Sequence, residues 1–205
     1  LSKYPIKVIC NQIDKSVFCY QKDSTFIERW GIPKNKKIVL YIAMSTSDPW
    51  KGFTIFRDVI ELLPGNYHVV IVGECNLVNS DKVTNLGRIN DPSVLAKIYS
   101  TSDVLANPSL DDNYPTVNLE ALACGVPVAA FEIGGIPEQI NDSCGKITQE
   151  KTAKALLSSI IILTNCNRDS MRMNCLQRYT EISCSVNNVQ EYYAIFCDML
   201  MEESK

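Results

Sequence analysis

The chain has 205 residues, of which 46% are hydrophobic and 21% are charged, and its formal net charge at pH 7 is −3. This length and composition are typical of a soluble globular domain with a sizeable core, and they exclude collagen-like, coiled-coil and disordered chains. The slight acidic excess provides no basic surface of the kind that nucleic acids require, so nucleic acid is not an expected partner.

The targeting and metal signals of the sequence are weak. No apolar run approaches the roughly 20 residues of a membrane-spanning helix, and the first residues lack a secretory signal pattern, so we expect a cytoplasmic chain. The nine cysteines include no CxxC pair, which indicates small buried side chains rather than a disulfide framework. Cys166, Cys175 and Cys184 recur every nine residues, which on a helix turns successive members to opposite faces, so no metal site is expected.

The single histidine excludes most chemistry that needs an imidazole beside a nucleophile or a metal. His68 lies in the apolar run 67–73, which has the pattern of a buried parallel strand. We therefore predict a structural role for His68.

Strand and helix patterns alternate from residue 37 to residue 131. The predicted strands are 37–44, 67–72, a short strand ending at Gly87, 103–107 and 127–131. The predicted helices are 53–63, 91–99 and 115–123, followed by three more at 151–164, 168–178 and 187–203. Such alternation implies right-handed crossovers and a parallel sheet with helices on both faces. The fold class is α/β, a Rossmann-like, doubly wound parallel sheet with C-terminal helices, and the last helix has an apolar face wide enough to pack on another surface.

The segment after residue 107 is the strongest candidate for a ligand-binding loop, because open parallel sheets bind ligands at the carboxyl ends of their strands. Pro115, Gly125 and Pro127 define a short helix of about ten residues that starts at this edge. Its free N–H groups and positive dipole end are suited to a phosphate.

Two acids near this helix are suited to sugar hydroxyls. Asp112 lies just before the helix and Glu120 lies inside it, and a carboxylate accepts hydrogen bonds from hydroxyls but repels phosphate. A structural alternative remains open, in which Asp112 caps the loop and helix and Glu120 is a solvated acid of the first turn.

A second polar loop, 45–53, follows the first predicted strand. Lys51 can reach a diphosphate held by the N-terminus of the helix at 115–123, with neighbouring Ser and Thr hydroxyls adding hydrogen bonds. The alternative is an exposed lysine at a helix N-terminus, where a cation is slightly unfavourable. Gly134 and Gly135 indicate a tight turn rather than a phosphate loop.

These loops resemble those of one family: the chain looks like the C-terminal, nucleotide-sugar-binding domain of a group 1 retaining glycosyltransferase with the GT-B fold. The segment 108–138 resembles the family's donor loop, with EALACGVPV at 120–128 and GGIPE at 134–138. Residues 48–53 (DPWKGF) resemble its lysine loop, and residues 11–14 (NQID) resemble the segment that leads out of its N-terminal domain. The likeness extends from residue 8 to about residue 165.

The resemblance implies a role for each matched position. Lys51 would bind the donor diphosphate, the N–H groups of Thr116 and Val117 would bind its distal phosphate, and Glu120 would hold the ribose hydroxyls. Asp112 would contact the transferred sugar, so the expected catalytic set is Lys51, Asp112 and Glu120. Donor-binding positions would further include the nucleobase loop and neighbours of the acids: Ser45, Gly87, Arg88, Ile89, Asn113 and Tyr114.

Two positions depart from the family pattern. Ser45 stands where the family often has an arginine, which removes one cation from the diphosphate. Asp112 stands where the family often has glutamate, which shortens the reach to the sugar by one methylene. The family uses no bound metal, so the resemblance implies a nucleoside diphosphate sugar as co-substrate and no cofactor.

The resemblance also implies an organisation. Residues 1–30 would form the interdomain connection, 31–165 the donor-binding domain, and 166–205 the C-terminal helices, the last crossing toward an N-terminal acceptor domain of about 160 to 200 residues. That domain would bind the glycan or lipid-linked acceptor and make any contact with the inner face of the membrane. We expect the chain alone to bind donor without turning it over, and its exposed interdomain surface to allow dimerisation.

Three hypotheses describe the function. The first is the donor-binding domain of a hexosyltransferase that acts with retention, for example in polysaccharide biosynthesis. The second is a nucleotide-sugar epimerase of similar fold, which would need further acids and a histidine that this sequence does not place. The third is a non-catalytic nucleotide-sugar-binding or scaffold domain, for which Ser45 is the motivating residue.

Overall fold

The computed structural model describes residues 6–21, 23, 26–184 and 188–202. Six strands lie in this part of the chain: β1 Lys37–Ser45, β2 Tyr67–Glu74, β3 Val83–Asn85, β4 Val104–Asn107, β5 Val128–Phe131 and β6 Gly145–Thr148. The α-helices are α1 Phe26–Arg29, α2 Phe53–Leu62, α3 Pro92–Thr101, α4 Thr116–Ala123, α5 Ile136–Gln139, α6 Ala153–Asn165, α7 Arg168–Cys184 and α8 Asn188–Glu202. A 3-10 helix at Pro49–Lys51 precedes α2.

The described strands form one parallel sheet in the order β3-β2-β1-β4-β5-β6. The strand order changes direction between the neighbouring strands β1 and β4. The connections that follow β1 and β4 therefore lead to opposite halves of the sheet, and a crevice is left at the carboxyl ends of these two strands. This confirms the doubly wound, Rossmann-like α/β fold, and it places the loops after β1 and β4 next to each other.

The core lies on both faces of the sheet, as expected for parallel strands covered by helices. Val39 and Leu40, adjacent in β1, are both 0% exposed and belong to separate hydrophobic clusters, one on each face. Strand residues alternate between faces, so a near-continuous apolar run is what a strand buried on both sides requires.

Most predicted boundaries agree with the structure, but several short elements were missed. Residues 145–148 form β6, a strand whose last three residues are half-buried, and their mixed polarity gives little period-two signal. Helix α5 has only four residues, and helix α7 continues to Cys184 rather than ending at residue 178. Helix α7 packs on α4, and Cys175 within it is 0% exposed.

The structural role predicted for His68 is confirmed, and the prediction of buried cysteines is correct for only part of the set. His68 is 3% exposed, with Nε2 2.8 Å from the Thr84 hydroxyl and Nδ1 3.2 Å from the Asp81 carbonyl. Cys124, Cys144 and Cys175 are buried, whereas Cys19 and Cys166 are exposed and Cys10, Cys75 and Cys197 are half-buried.

Helix α8 leaves much of its apolar face exposed, including Val189, Tyr193 and Phe196. In the described part of the chain no surface covers these side chains, so the expected packing of this helix is not made there. None of the described helices combines the length and apolarity needed to cross a bilayer.

Candidate functional site

The loops after β1 and β4 are held together by backbone contacts. Gly52 has φ +64°, and a Cβ at this position would lie 1.9 Å from the Pro108 carbonyl oxygen. The Leu110 N–H donates to the Trp50 carbonyl at 2.7 Å. Only glycine allows this approach without strain, so the loop carrying Lys51 rests directly on the loop carrying Asp112.

Lys51 and Asp112 form an ion pair at this junction. Nζ of Lys51 lies 2.7 Å from Oδ2 of Asp112, and the two side chains are 34% and 17% exposed. The N-cap of α4 is Pro115, with no side-chain cap, so the alternative in which Asp112 caps this helix is wrong. Lys51 ends a 3-10 helix and does not project freely into solvent from a helix N-terminus.

The glycine pair after β5 supports the Asp112 loop from the other side. A Cβ at Gly134, which has φ +45°, would lie 1.9 Å from the Asp112 carbonyl oxygen. The Gly135 N–H donates to the Asn113 carbonyl at 2.7 Å. The predicted tight turn is therefore present, and its glycines also allow two main chains to pass in contact.

Helix α4 begins at this loop with Thr116, one residue later than predicted. The first N–H groups of a helix have no partner within the helix, so Thr116 and Val117 can offer theirs to an anion. An open cavity of about 380 Å³ lies in front of them. Of the residues predicted from sequence, its lining contains Lys51, Asp112, Tyr114, Thr116 and Val117.

Glu120 lies one turn further along α4 and does not line this cavity. Its Oε2 accepts a 2.8 Å hydrogen bond from the hydroxyl of Tyr99, which is 0% exposed. Burial raises the pKa of Glu120, and hydrogen bonds from Tyr99 and Thr116 oppose that rise. The alternative of a solvated first-turn acid is wrong, because this carboxyl is half-buried and hydrogen-bonded.

The predicted nucleobase loop follows β3 at the same edge of the sheet. Gly87 has φ +66°, and its carbonyl accepts the Gly73 N–H at 2.9 Å. Arg88 is bonded through Nε to the side chain of Asn90 at 3.2 Å. Gly87, Arg88 and Ile89 do not line the cavity in front of α4, so the structure does not bring them together with Lys51 and Asp112.

Ser45 and Asn113 do not line this cavity, and Tyr114 does. The Ser45 hydroxyl lies 2.8 Å from that of Ser47, so in this position it is paired within its own loop. Asn113 is exposed and supports the loop through its carbonyl. Burial, with smaller effects of Cys10 and Glu138, raises the pKa of Tyr114 to about 12, so its hydroxyl remains protonated near neutral pH.

Sequence reasoning missed several residues of the site. Asn11, Asn107 and Ser109 line the cavity, and Asn11 also donates to the Tyr114 carbonyl at 3.3 Å. Asn107 further belongs to a buried chain of amides with Asn118 and Gln139. An amide inside an apolar strand or helix was the available signal, since such groups stay buried only with partners.

Comparison with known proteins assigns the chain to a family. Residues 22–178 match the family described as glycosyl transferases group 1, and the chain belongs to this family. The D-inositol 3-phosphate glycosyltransferase of Segniliparus rotundus is 28% identical over 142 residues, covering 60% of this chain and 31% of that protein. The chain spans about a third of the length of the first curated relatives it matches.

Two solved structures show the same fold. HepE of Anabaena, determined in complex with UDP and glucose, has a TM-score of 0.76 and 20% identity over 94% of this chain and 56% of that one. The C-terminal domain of the group 1 glycosyltransferase LpcC from Francisella tularensis has a TM-score of 0.68 and 18% identity, covering 83% of this chain and 97% of that domain. The fold is that of the C-terminal domain of GT-B glycosyltransferases, as the sequence motifs indicated.

Proposed function

We propose that the chain binds a nucleoside diphosphate sugar, and that the protein it belongs to transfers the sugar with retention to a glycan or lipid-linked acceptor. The observation that carries this proposal is the meeting of Lys51, Asp112 and the first turn of α4 around one cavity. This cavity lies where the strand order reverses, which is the usual ligand position in doubly wound sheets.

The diphosphate is assigned to Lys51 and the N–H groups of Thr116 and Val117. A lysine supplies a compact positive charge, and the helix N-terminus supplies aligned donors, so both stabilise the charge that develops on a departing diphosphate. With Ser45 in place of an arginine, these groups carry more of that task. Positioning and charge stabilisation would then supply most of the catalysis, without a bound metal.

The sugar and the nucleoside are assigned to the neighbouring groups. Asp112 lines the cavity and would accept hydrogen bonds from hydroxyls of the transferred sugar, with Tyr114 beside it in the lining. Asn113 would contact the donor from the exposed part of the same loop. Glu120 keeps acceptor capacity for the ribose beyond its bond to Tyr99, since a carboxylate has about four lone-pair sites. The loop of Gly87, Arg88 and Ile89 borders the base.

The acceptor is assigned to a part of the protein beyond this chain. The relatives are about three times longer than the matched segment, which supports a further acceptor-binding region. The exposed apolar face of α8 fits either contact with that region or dimerisation of the isolated chain. A cytoplasmic location, with any membrane contact made by the acceptor-binding region, remains part of the same prediction.

One observation favours a second function, that of a non-catalytic nucleotide-sugar-binding domain. Asp112 neutralises Lys51, and Ser45 adds no positive charge beside them. Such a site can retain affinity through the helix amides and Glu120 while stabilising a leaving diphosphate poorly. Tight binding of nucleotide without sugar transfer by the longer protein would support this function.

Calorimetric titration of the chain with UDP, GDP, ADP and their sugar conjugates tests the proposal. We expect one nucleotide to bind selectively. Lys51→Ala and Glu120→Ala should each weaken it by about 1.5 to 3 kcal/mol through loss of charged hydrogen bonds. Lys154→Ala and Glu61→Ala, at exposed positions of α6 and α2, are matched controls. Equal binding by the parent and both site variants would contradict the assigned site.

A further inference from the structure

Three buried amide side chains, which we call the amide network, form a chain of hydrogen bonds next to the loop that carries Asp112. They belong to Asn107, Asn118 and Gln139. They are 5%, 0% and 0% exposed. Nδ2 of Asn107 donates to Oδ1 of Asn118 at 2.9 Å, and Nδ2 of Asn118 donates to Oε1 of Gln139 at 2.9 Å. Burial of an amide is costly without partners, so the network constrains the positions of β4, α4 and α5 relative to one another.

The two ends of the amide network are bonded to the two ends of one loop. Oδ1 of Asn107 accepts the Ser109 N–H at 3.2 Å, and Nε2 of Gln139 donates to the Pro115 carbonyl at 3.1 Å. Residues 109 and 115 delimit the loop that carries Asp112. The network therefore fixes both the exit of this loop from the sheet and its entry into α4.

These end groups also fix the direction of every amide. One end is an N–H donor and the other a carbonyl acceptor, so each side chain must turn its oxygen toward Ser109 and its nitrogen toward Pro115. A carboxylate at position 139 would set two oxygens against each other at Pro115. The network thus distinguishes an amide from its acid analogue at the same size and shape.

Helix α7 contacts the backbone of Gln139 through Arg178. Arg178 donates from Nε to the Gln139 carbonyl at 3.0 Å and from Nη2 to the Glu138 carbonyl at 2.6 Å. With its backbone held there, Gln139 sets the position of the Pro115 carbonyl. Pro115 directly precedes Thr116 and Val117, whose N–H groups are assigned to the distal phosphate.

We propose that Asn118 and Gln139 are positioning residues for the diphosphate, acting through the amide network on the first turn of α4. This inference rests on the proposed function and extends it to residues that touch no substrate. It predicts that their loss weakens the phosphate contribution to binding and leaves the nucleoside contribution unchanged.

The test is Gln139→Met, which keeps the length of the side chain and removes its donor and acceptor. Gln177→Met is the control, since Gln177 is exposed on α7 and bonds to Glu181. We measure affinity for the nucleoside diphosphate that binds the parent best, affinity for its nucleoside, and the NMR chemical shifts of the Thr116 and Val117 amides. We expect about a tenfold loss for the diphosphate, no change for the nucleoside, and altered shifts at both amides in Gln139→Met alone.

Gln139→Glu provides a second test within one protein. A protonated carboxyl can donate to the Pro115 carbonyl and a carboxylate cannot, so its diphosphate affinity relative to the parent should recover as the pH falls. This comparison also replaces Gln139→Met if that variant fails to fold.

Three results would overturn the inference: equal loss of diphosphate and nucleoside affinity, unchanged amide chemical shifts at Thr116 and Val117, or a Gln139→Glu variant without recovery at low pH. A parent chain that binds no nucleoside diphosphate would contradict the proposed function. The amide chemical shifts would then still decide whether the amide network positions these two N–H groups.

Discussion

Lys51 and Asp112 are 61 residues apart in sequence, and their side chains meet at 2.7 Å across the crevice between β1 and β4. Both are partly buried, so water screens their attraction less than that of a surface pair. A phosphate that reaches Lys51 must share this ammonium with Asp112 and is repelled by the carboxylate. The two residues therefore influence binding of the diphosphate in opposite directions.

Asp112→Asn should tighten binding of the nucleoside diphosphate. The variant keeps the shape of the side chain and removes its charge, which frees Lys51 and ends the repulsion, so we expect a gain of about three- to fivefold. The added affinity that the sugar gives to a nucleoside diphosphate sugar should fall. Titrations at low and high salt measure both effects, with the exposed Asp111→Asn as control. Unchanged or weaker diphosphate binding in Asp112→Asn would count against the competition.

Gly134→Ala should displace the Asp112 loop. The added Cβ would meet the Asp112 carbonyl oxygen at 1.9 Å and force a left-handed backbone on alanine, at a cost of about 1 to 3 kcal/mol. Denaturant unfolding and nucleotide titration should both report a loss. Gly65→Ala is the matched control, because a Cβ there meets nothing within 4 Å. Similar behaviour of the two variants would show that the close approach is unimportant.

Glu120 should make donor binding depend on pH. Burial raises the pKa of Glu120 above the ordinary 4.5. The carboxylate that accepts hydrogen bonds from the ribose hydroxyls is therefore protonated as the pH falls through the raised pKa. Glu120→Gln should bind the donor nucleotide more weakly near neutral pH, and its affinity should lack this dependence on pH.

The same carboxyl should also affect stability. Because the folded state holds the proton of Glu120 more tightly than the unfolded chain, the free energy of unfolding should fall as the pH rises from 4.5 through the raised pKa. Glu120→Gln should lack this decrease. Parallel pH profiles for parent and variant would contradict both expectations.

His68 should give the stability of the folded state a separate pH dependence below pH 6.5. Its burial lowers its pKa below the ordinary 6.5, so between these values the unfolded chain binds more protons than the folded chain. The stabilising contribution of the neutral, buried imidazole is present above pH 6.5 and is lost as the pH falls through the lowered pKa. Because His68 is the only histidine, His68→Gln should flatten unfolding free energy against pH in this window. An unchanged slope, measured by denaturant unfolding at several pH values, would show that another group titrates there.

Much of the fold was predictable because the elements are locally encoded. The apolar runs of β1 and β2, and the Asp91-Pro92 start of α3 with its 2.9 Å bond from the Ser93 N–H, depend on neighbours in sequence. The strand β6 was missed because its four residues pair with β5 at the sheet edge, and their pattern carries no alternation of its own.

The candidate site was predictable as a set of residues but not as an arrangement. The sequence indicated Lys51, Asp112 and Glu120 through motif resemblance, yet it assigned no contact between the first two and offered solvent as a possible environment for the third. The ion pair of Lys51 and the bond from Tyr99 to Glu120 join residues 61 and 21 positions apart. Contacts at such separations are set by strand order and helix packing.

The sequence by itself determined the class of fold, the two loops at the carboxyl edge and the family, because hydrophobic period, capping residues and short motifs are local properties of the chain. The tertiary structure decided which groups meet. It placed β1 beside β4, brought Gly52 and Gly134 against the backbones of Pro108 and Asp112, and buried the amide network under the donor loop. These contacts depend on close packing between segments that are distant in sequence. One added Cβ or one reversed amide there changes the free energy of folding. A local sequence pattern does not encode such packing.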